Sequence, residues 1–320
     1  MLNIRAFNPQ RDMKEVADLI EKCFSDSLDQ DGKRYIQQMR NYAGWPGPFS
    51  WLQILPKWAG APFIGYVWEQ DGRLIGNVSL VPYRVSGQRN YMIANVAVDP
   101  EYRRQGIARS LTLHAIKHVR KRRANRIWLN VRQGNQAAVQ LYAGLGFLDR
   151  GRRTTWRASR HHNRNAHPAD ISIQPGKPAD WPLLKMWLDR RYPADMTWHL
   201  QVNFDLLKPG FWATLKRTLS NTSLRQWSAI RDRQLKAGLA MQWNLTSSAS
   251  NLFLAAPDDP DSSAITAIIS HACRQAPTNQ TITLEFPTGI KPISRQIDEA
   301  IESAGFSAQQ TLIWMELENG

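Results

Sequence analysis

Two copies of one pattern of strands and helices follow each other along this 320-residue chain. The first copy begins with the strand-like NIRAF, a turn and an amphipathic helix, and the second begins with ISIQPGKP and the helix-like WPLLKMWLDRRY. Later in the copies, RIWLNV corresponds to TITLEF, and LGF at 145–147 corresponds to AGF at 304–306. Self-similarity at a fixed period indicates a repeated structural unit, so the sequence predicts a tandem of two α/β units of roughly 160 residues each.

The boundaries of the two units follow from the pattern and from an arginine-rich segment between them. We expect the first unit to span residues 1–157, a linker to span 158–169, and the second unit to span 170–320. The segment from Arg150 to Arg164 contains six arginines and no acidic residue. The part after Trp156 is interpreted either as a solvated basic connector or as an arm that grips an acidic or nucleic-acid partner.

The charge of the chain is strongly positive. Its formal net charge is +14, and its isoelectric point is about 10.1. Such a surface attracts polyanions, including nucleic acid, ribosomes, anionic membranes and phosphate-bearing ligands. Between Glu101 and Arg132, ten lysines or arginines accompany a single acidic residue. Composition alone does not select among these anions.

Three features of the sequence predict a cytoplasmic protein without membrane contact. No apolar run reaches the length of about 18 residues that a transmembrane helix needs. The N-terminal MLNIRAFNPQRD lacks the charged and apolar regions of a signal peptide. Cys23 and Cys273 lie far apart in helical patterns, which favours two free thiols over a disulfide or a metal site.

Turn signals divide the first copy into short elements. Asp71-Gly72 and Ser86-Gly87 stand between apolar runs, which is a strong hairpin signal. A helix is expected over residues 107–122, and NQAAVQLYAGLGF predicts a second helix that glycine closes. Residues 26–60 show no clear pattern, apart from the helix-like RYIQQMRNY.

The junction VDPEYRRQGIARSL, residues 98–111, joins an apolar strand to an apolar helix. The first turn of a helix leaves backbone N–H groups without partners, and the helix dipole adds partial positive charge there. Gly106 lets a ligand approach the backbone closely, and Ala108 keeps the next turn slim. The arginines of the junction add charge around it: Arg103, Arg104 and Arg109. The junction therefore predicts a site for a pyrophosphate.

The stretches IANVAVDPEYRRQGIARSL and LNVRQGNQAAVQLYAGLGF resemble the GCN5-related N-acetyltransferase (GNAT) superfamily, and the order of elements over residues 3–157 agrees. Within this superfamily, the two stretches are most similar in sequence to the ribosomal-protein alanine N-acetyltransferases. The family signature Gln/Arg-x-x-Gly-x-Gly/Ala falls on Arg103, Gly106 and Ala108. The resemblance implies an α/β (α+β) fold of two tandem GNAT-like domains, each with a mixed, mostly antiparallel sheet flanked by helices. It also implies acetyl-CoA as the co-substrate.

The resemblance assigns roles to residues of the first copy. The backbone of Val96, Ala97 and Val98 would pair with the pantetheine arm, and the Val98 N–H would stabilise the oxyanion. The signature loop and the start of the next helix would hold the pyrophosphate, through Arg103, Arg104, Gln105, Gly106, Ile107, Ala108 and Arg109. Asn135 would contact the cofactor, and Tyr142 would protonate the departing thiolate. The implied reaction is acetyl transfer to a primary amine by direct attack in a ternary complex.

Several of these assignments compete with structural alternatives. Tyr142 also suits the core face of an amphipathic helix, and Asn135 also suits a helix N-cap. Four aromatic residues either line the pocket for the acceptor or pack over the sheet: Trp45, Phe49, Trp51 and Trp58. The acceptor is a protein N-terminus, a lysine or a small amine.

The sequence does not identify the general base. Asn130 stands where the alanine-acetylating relatives have a glutamate, and asparagine cannot accept a proton at neutral pH. Asn95 stands where many relatives have an acid. Glu69 and Asp99 remain candidates, although Glu69 suits a solvent-facing position and Asp99 suits a turn beside Pro100. A chain of water molecules, or an amine that arrives neutral, would replace a protein base.

The second copy departs from the pattern at the junction. It has APDDPDSSAITA where the first copy has DPEYRRQGIARS, and its aspartates would repel a pyrophosphate. Near Ile301 it has no counterpart of Tyr142. We therefore expect residues 170–320 to keep the fold without the cofactor site. The rival functions for the chain are a non-catalytic protein that binds CoA or a partner, and a ribosome- or nucleic-acid-associated protein. The sequence does not specify the oligomeric state.

Overall fold

The chain forms two compact units, and neither unit has the same bounds as one of the two sequence copies. Unit 1 comprises Met1–Arg150 and Trp314–Gly320, and unit 2 comprises Gly151–Ile313. The structure is a computed structural model that describes residues 3–25, 30–43, 64–85, 87–159, 168–192, 204–208, 222–244, 249–277, 280–288 and 292–318.

Unit 1 combines helices with one sheet. Its helices are α1 (Pro9–Phe24), α2 (Gln30–Ala43), α3 (Ile107–Lys121) and α4 (Gln136–Ala143). Its strands are β1 (Ile4–Ala6), β2 (Ile64–Gln70), β3 (Arg73–Val85), β4 (Gln88–Val98), β5 (Arg126–Arg132) and the end of β12 (Phe306–Glu318). The strands lie in the order β1-β2-β3-β4-β5-β12. β1 to β4 pair antiparallel, whereas β4 and β5 pair parallel.

Local sequence explains the elements that surround the junction. Asp71 and Gly72 adopt φ angles of 51° and 76°, which is the left-handed geometry of a tight hairpin turn, and β2 and β3 pair on either side of it. Helix α3 buries Leu111 and Val119 against the sheet. Gly76 allows this close packing, because a Cβ there would lie 2.9 Å from Leu111 Cδ1. The sheet thus fixes the start of α3 beside the end of β4.

Unit 2 repeats this arrangement. Its helices are α5 (Trp181–Arg191), α6 (Ser262–Gln275) and α7 (Pro292–Ser303). Its strands are β6 (Leu148–Ala158), β7 (Ser172–Pro175), β8 (Thr222–Arg231), β9 (Gln234–Asn244), β10 (Ala249–Ala255), β11 (Thr281–Thr288) and the first part of β12. The order is β12-β6-β11-β10-β9-β8-β7. Of the pairs with a defined register, β10 and β11 are parallel and the others are antiparallel.

The two units do not coincide with the predicted ranges 1–157 and 170–320. Strand β6, which follows α4 in the chain, pairs with β11 in unit 2, where Arg157 lies opposite Thr283. The end of β12 lies beside β5 in unit 1. Each unit therefore contains a strand from the other sequence copy.

The structure agrees with most of the predicted elements and corrects one boundary. Mixed, mostly antiparallel sheets with flanking helices confirm the predicted fold class, and RYIQQMRNY lies within α2. The linker predicted to follow Trp156 begins later than expected, because β6 continues to Ala158. Arg160, Arg164 and the four aromatic residues between 45 and 58 lie outside the described residues.

Two further predictions concern the thiols and the membrane. Cys23 is half-buried, Cys273 is buried, and both thiols are free. Among the described residues, no helix is both long enough and apolar enough to cross a membrane.

Candidate functional site

The junction between β4 and α3 forms a tight loop at the end of the sheet. Asp99 begins a short 3-10 turn over Pro100–Tyr102, and its side chain accepts the Glu101 N–H at 3.2 Å. Arg104 and Gly106 then adopt φ angles of 63° and 77°. These left-handed residues reverse the chain direction before the helix, and glycine adopts such a conformation without strain.

The first turn of α3 presents backbone N–H groups that have no capping partner. The first intrahelical bond runs from the Ser110 N–H to the Gly106 carbonyl at 2.9 Å. Gly106 supplies no side-chain cap, and the first turn contains no acidic residue. Among the described residues, the amides of Ile107, Ala108 and Arg109 therefore have no hydrogen-bond partner, which is an arrangement that suits an anion. A Cβ placed on Gly106 would meet nothing within 4 Å among the described residues, so the space beside Gly106 is open.

Strands β4 and β5 separate beside this loop. Their pairing ends at Ile93 and Leu129, although both strands continue. A bulge accompanies the separation, because Asn95 and Val96 together face Val78 of β3. Asn95 adopts a φ of 51°, and the buried Asn77 amide donates to its carbonyl at 2.9 Å. A bulge re-aims a strand, and here it leaves the last residues of β4 without β5 as a partner.

Val98 lies at the end of this open edge. The Asp99 N–H donates to Ile75 of β3 at 2.9 Å. Because successive N–H groups of a strand point to opposite edges, the Val98 N–H points away from β3. The Val98 carbonyl accepts from the Cys23 thiol at 3.2 Å and from the Arg103 Nε at 3.4 Å. These two contacts fix the strand end against α1 and the loop.

Tyr142 and Asn135 mark the two ends of α4. The Asn135 Oδ1 accepts the Ala138 N–H at 3.2 Å, so Asn135 is the N-cap. Tyr142 is 7% exposed and packs edge-to-face on Phe147 with ring centroids 6.0 Å apart. Its hydroxyl has no hydrogen-bond partner among the described residues. Burial raises the pKa of Tyr142 to about 12, so the phenol stays protonated near neutral pH. Tyr142 is thus a core residue and Asn135 a helix N-cap, and both roles are compatible with ligand contact.

Both candidate carboxylates are committed to ion pairs. The Lys22 ammonium contacts the two oxygens of Asp99 at 2.9 and 3.0 Å. Burial of Asp99 opposes its ionisation, but Lys22 and the Glu101 amide outweigh burial and hold its pKa below the usual range. Glu69 pairs with Arg5 at 2.5 Å and with Arg11 at 2.9 Å, and these hydrogen bonds lower its pKa. A low pKa makes each a poor proton acceptor at neutral pH.

The sequence motif did not indicate which residues would contact Asn95, Val98 and Asp99. Lys22 and Cys23 come from α1, far from the junction in sequence, and Asn77 comes from β3. Ser79 lies 3.4 Å from the Asn95 side chain. Asn130 lies just beyond the last β4–β5 pair, and its side chain is exposed. Only the amphipathic pattern of α1, which predicts that this helix packs on the sheet, indicated the contacts of Lys22 and Cys23.

Unit 2 has a different arrangement at the corresponding positions. The Asp261 side chain caps α6 by accepting the Ala264 N–H at 3.0 Å, and Asp261 also pairs with Arg231 at 2.5 Å. A carboxylate therefore occupies the position that is open at the start of α3. Ile301, in place of Tyr142, is fully buried.

Sequence comparison connects this geometry to known proteins. The Acetyltransferase (GNAT) family matches residues 14–147. The ribosomal protein bS18-alanine N-acetyltransferase of Escherichia coli K12 is 51% identical over 53 residues, which is 17% of this chain and 36% of that protein. The mycothiol acetyltransferase of Thermobispora bispora is 31% identical over 156 residues, which is 46% of each chain. The chain thus spans about a third to a half of the length of the curated relatives it matches.

Structural comparison covers the whole chain. A tandem GNAT protein from the clavulanic acid biosynthesis pathway superposes with a TM-score of 0.53 at 16% identity, covering 99% of this chain and 98% of that one. A GCN5-related N-acetyltransferase from Sphaerobacter thermophilus superposes with a TM-score of 0.60 at 13% identity, covering 99% and 96%. Residues 14–147 of this chain thus match the Acetyltransferase (GNAT) family model, and the chain as a whole has the fold of a tandem GNAT protein.

Proposed function

We propose that the chain is an N-acetyltransferase that moves an acetyl group from acetyl-CoA to a primary amine, with both substrates bound together. The observation that carries the proposal is the uncapped start of α3 behind Gly106, directly beside the open edge of β4. One end of this site suits a pyrophosphate, and the other suits an extended chain that pairs with a strand. The match of residues 14–147 to the Acetyltransferase (GNAT) family supports acetyl transfer.

The residues of the junction fit the co-substrate. The amides from Arg104 to Arg109 would hold the pyrophosphate, and the open space at Gly106 leaves room for it. Arg103 is tied to Val98 through its Nε, which would keep the loop against the strand. The backbone of Val96, Ala97 and Val98 would pair with the pantetheine arm. Asn135 caps α4 with its oxygen, which leaves its amide nitrogen for the ligand.

The chemistry requires little from the protein. When bound, acetyl-CoA supplies a thioester, an acyl donor that an amine can attack directly. The Val98 N–H would stabilise the negative charge that develops on the carbonyl oxygen. The Tyr142 hydroxyl, which is protonated at neutral pH and whose pKa burial raises to about 12, would give its proton to the departing sulfur. The resulting phenolate would take up, through water, the proton that the attacking nitrogen loses.

The acceptor amine and its deprotonation complete the proposed reaction. The similar proteins are named for a ribosomal-protein alanine and for mycothiol, which supports both a protein N-terminus and a small amine as acceptors. Because Asp99 and Glu69 are held in ion pairs, we propose that the amine reaches the site in its neutral form. Two free cysteines support a reducing compartment, the cytoplasm, as the place of the reaction.

A turnover assay tests this proposal. Release of the CoA thiol is measured with a panel that includes alanyl peptides, lysyl peptides, polyamines and amino-sugar amines. Acetylation of at least one amine, with loss of activity in Tyr142→Phe, supports it. Absence of thiol release with every amine would contradict it.

The second candidate function is a non-catalytic CoA-binding protein, and the exposed Asn130 in the place of a glutamate favours it. This alternative predicts that CoA raises the melting temperature of the chain while no amine releases the thiol. The same samples and the same assay distinguish the two.

A further inference from the structure

A second pocket lies on the other side of α3, away from β5 and the junction. Its volume is about 300 Å³, and its lining consists of Tyr66, His114, Lys117, His118, Lys121 and Arg122. Tyr66 belongs to β2, which is separated from β5 by β3 and β4 in the sheet order. The remaining lining residues lie on the C-terminal half of α3 and at its end. The proposed reaction uses none of these residues.

The charge in this pocket is not compensated. Lys117, Lys121 and Arg122 form no ion pair within the described part of the chain, and no carboxylate lines the pocket. Several other cations of unit 1 do have carboxylate partners, as Lys22 has Asp99 and Arg40 has Asp18. The C-terminal dipole of α3 supplies only roughly half a negative charge. Three clustered cations therefore repel one another until an anion enters.

The other three side chains add hydrogen-bonding groups and a fixed shape. The Tyr66 hydroxyl lies 2.7 Å from His118 Nδ1, and the Tyr66 ring packs edge-to-face on His114 at 4.4 Å. Tyr91 of β4 packs on His118 from the sheet side at 6.5 Å. These contacts fix the walls of the pocket while the lysines remain on the rim.

Protonation of the imidazoles is suppressed while the pocket is empty. Burial, followed by Lys117 and Lys121, lowers the pKa of His114. Burial, followed by Arg122, His114 and Lys121, lowers the pKa of His118. An anion would reverse the electrostatic part of this effect, so each imidazole would become an additional positive charge.

The geometry points to a small oligophosphate, two or more linked phosphate groups, as the ligand that Lys117, Lys121 and Arg122 bind. Each phosphate carries roughly −1.5 to −2 charges, so a diphosphate matches three cations. The volume suits a compact ligand, whereas a nucleic-acid strand would follow an extended surface. A divalent metal ion is disfavoured because three cations surround the two histidines.

The pocket and the junction are far enough apart to be distinguished. With a rise of about 1.5 Å per residue, the start of α3 lies roughly 16 Å from His118, and the Debye length at physiological salt is only about 8 Å. A phosphate bound at Gly106 therefore has little effect on the histidines of the pocket.

NMR of the histidine side chains tests the proposal on the full chain. Pyrophosphate is titrated while the His114 and His118 signals are followed over pH, with His114→Gln and His118→Gln as assignment variants. We expect pyrophosphate to raise the pKa of both imidazoles by about 1 or more. The affinity should increase as pH falls, because the bound form takes up protons.

Paired variants give the control. Lys117→Ala with Lys121→Ala should weaken pyrophosphate binding at least about tenfold, because two charge-assisted hydrogen bonds are lost. Lys14→Ala with Arg120→Ala removes the same charge outside the pocket and should change it less than about threefold. Equal losses in the two pairs, or histidine signals that do not respond to pyrophosphate, would overturn the proposal. A response to single-stranded RNA but not to pyrophosphate would overturn it as well.

Discussion

The hydroxyl group of Tyr192 donates a hydrogen bond to the Glu285 carbonyl at 3.1 Å, and this contact closes the sheet of unit 2 where the sheet of unit 1 is open. In unit 2 the parallel pairing of β10 and β11 ends at Leu252 and Leu284, as that of β4 and β5 ends in unit 1. The buried Tyr192 enters there and packs on Phe286 and Phe204, with ring centroids 6.2 and 5.4 Å apart.

The two units therefore differ at both ends of the corresponding site. Tyr192 fills the gap between the strands, and Asp261 caps the helix. A pantetheine arm would have to displace a buried aromatic side chain, and a pyrophosphate would meet a carboxylate. In the part of the chain that the structure describes, neither obstacle exists at Val98 and Gly106. We infer that unit 2 keeps the fold to support the chain rather than to bind a second co-substrate.

The first prediction is a stoichiometry of one CoA per chain, with an affinity that Gly106→Val lowers. A side chain at φ 77° is strained and would occupy the open space beside Gly106, so affinity should fall at least about tenfold for each charge-assisted bond lost. Isothermal titration calorimetry measures both quantities. Gly72→Val is the matched control, because Gly72 has a φ of 76° and equally open surroundings but lies in the β2–β3 hairpin. Two equivalents in the parent, or an unchanged CoA affinity in Gly106→Val, would refute the site.

The second prediction separates binding from catalysis at Tyr142. Tyr142→Phe removes only the hydroxyl, which has no partner among the described residues, and keeps the ring contact with Phe147. CoA affinity should be unchanged, while kcat should fall by about 10²–10⁴ if the phenol is the proton donor. Stopped-flow or steady-state thiol release measures this. A kcat within about twofold of the parent would leave Tyr142 as a core residue.

The third prediction concerns stability at alkaline pH. Burial raises the pKa of Tyr142 to about 12, whereas an unfolded tyrosine titrates near about 10. Between these values the unfolded chain releases the proton and the folded chain keeps it, so the free energy of unfolding decreases as pH rises. Tyr142→Phe lacks this loss and should gain about 1–2 kcal/mol relative to the parent between about pH 9 and 11. Urea denaturation of the parent and of Tyr142→Phe at the two pH values provides the comparison. A difference in their free energies of unfolding that is the same at both pH values would contradict the burial of Tyr142.

The fourth prediction follows from the ion pairs of Asp99 and Glu69. If no protein carboxylate acts as the base, the acidic limb of kcat/KM follows the ionisation of the acceptor. An α-amine titrates near about 8 and a lysine side chain near about 10.4, so the limb should move by about two pH units between these acceptors. Acetyl-CoA affinity across the same pH range is the control. A limb that stays fixed for both amines would instead reveal a base on the protein.

Local chemistry explains what the sequence could predict. The turn at Asp71-Gly72, the helix that begins after Gly106 and the N-cap at Asn135 each depend on a few neighbouring residues. Their conformations are decided within about one turn of chain, so a motif is sufficient evidence for them. The loop between β4 and α3 belongs to this class, which is why its conformation was predictable, whereas its binding of a pyrophosphate stays a prediction.

Long-range pairing explains what the sequence could not predict. Strands β6 and β12 follow corresponding helices and have similar apolar patterns, so either could lie beside β5. The entropic difference between closing a short and a long loop grows only slowly with length and does not decide the partner. The bonds from Lys22 to Asp99 and from Arg5 to Glu69 join equally distant segments, which is why the candidate bases appeared free in the sequence.

The last prediction tests the placement of β12 in unit 1. Glu316 is buried and lies 2.7 Å from Arg150 and 3.2 Å from Arg126 of β5, and nearby Trp314 packs on Trp128. Glu316→Gln removes the buried charge that Arg126 and Arg150 share, and should lower the free energy of unfolding by about 1.5–3 kcal/mol. Glu318→Gln is the control: Glu318 also pairs with Arg150 but is 74% exposed, so its loss should cost under about 1 kcal/mol. Hydrogen exchange should show reduced protection of β5 in Glu316→Gln alone. Equal stabilities of the two variants would mean that this strand end contributes nothing to the sheet that carries the junction.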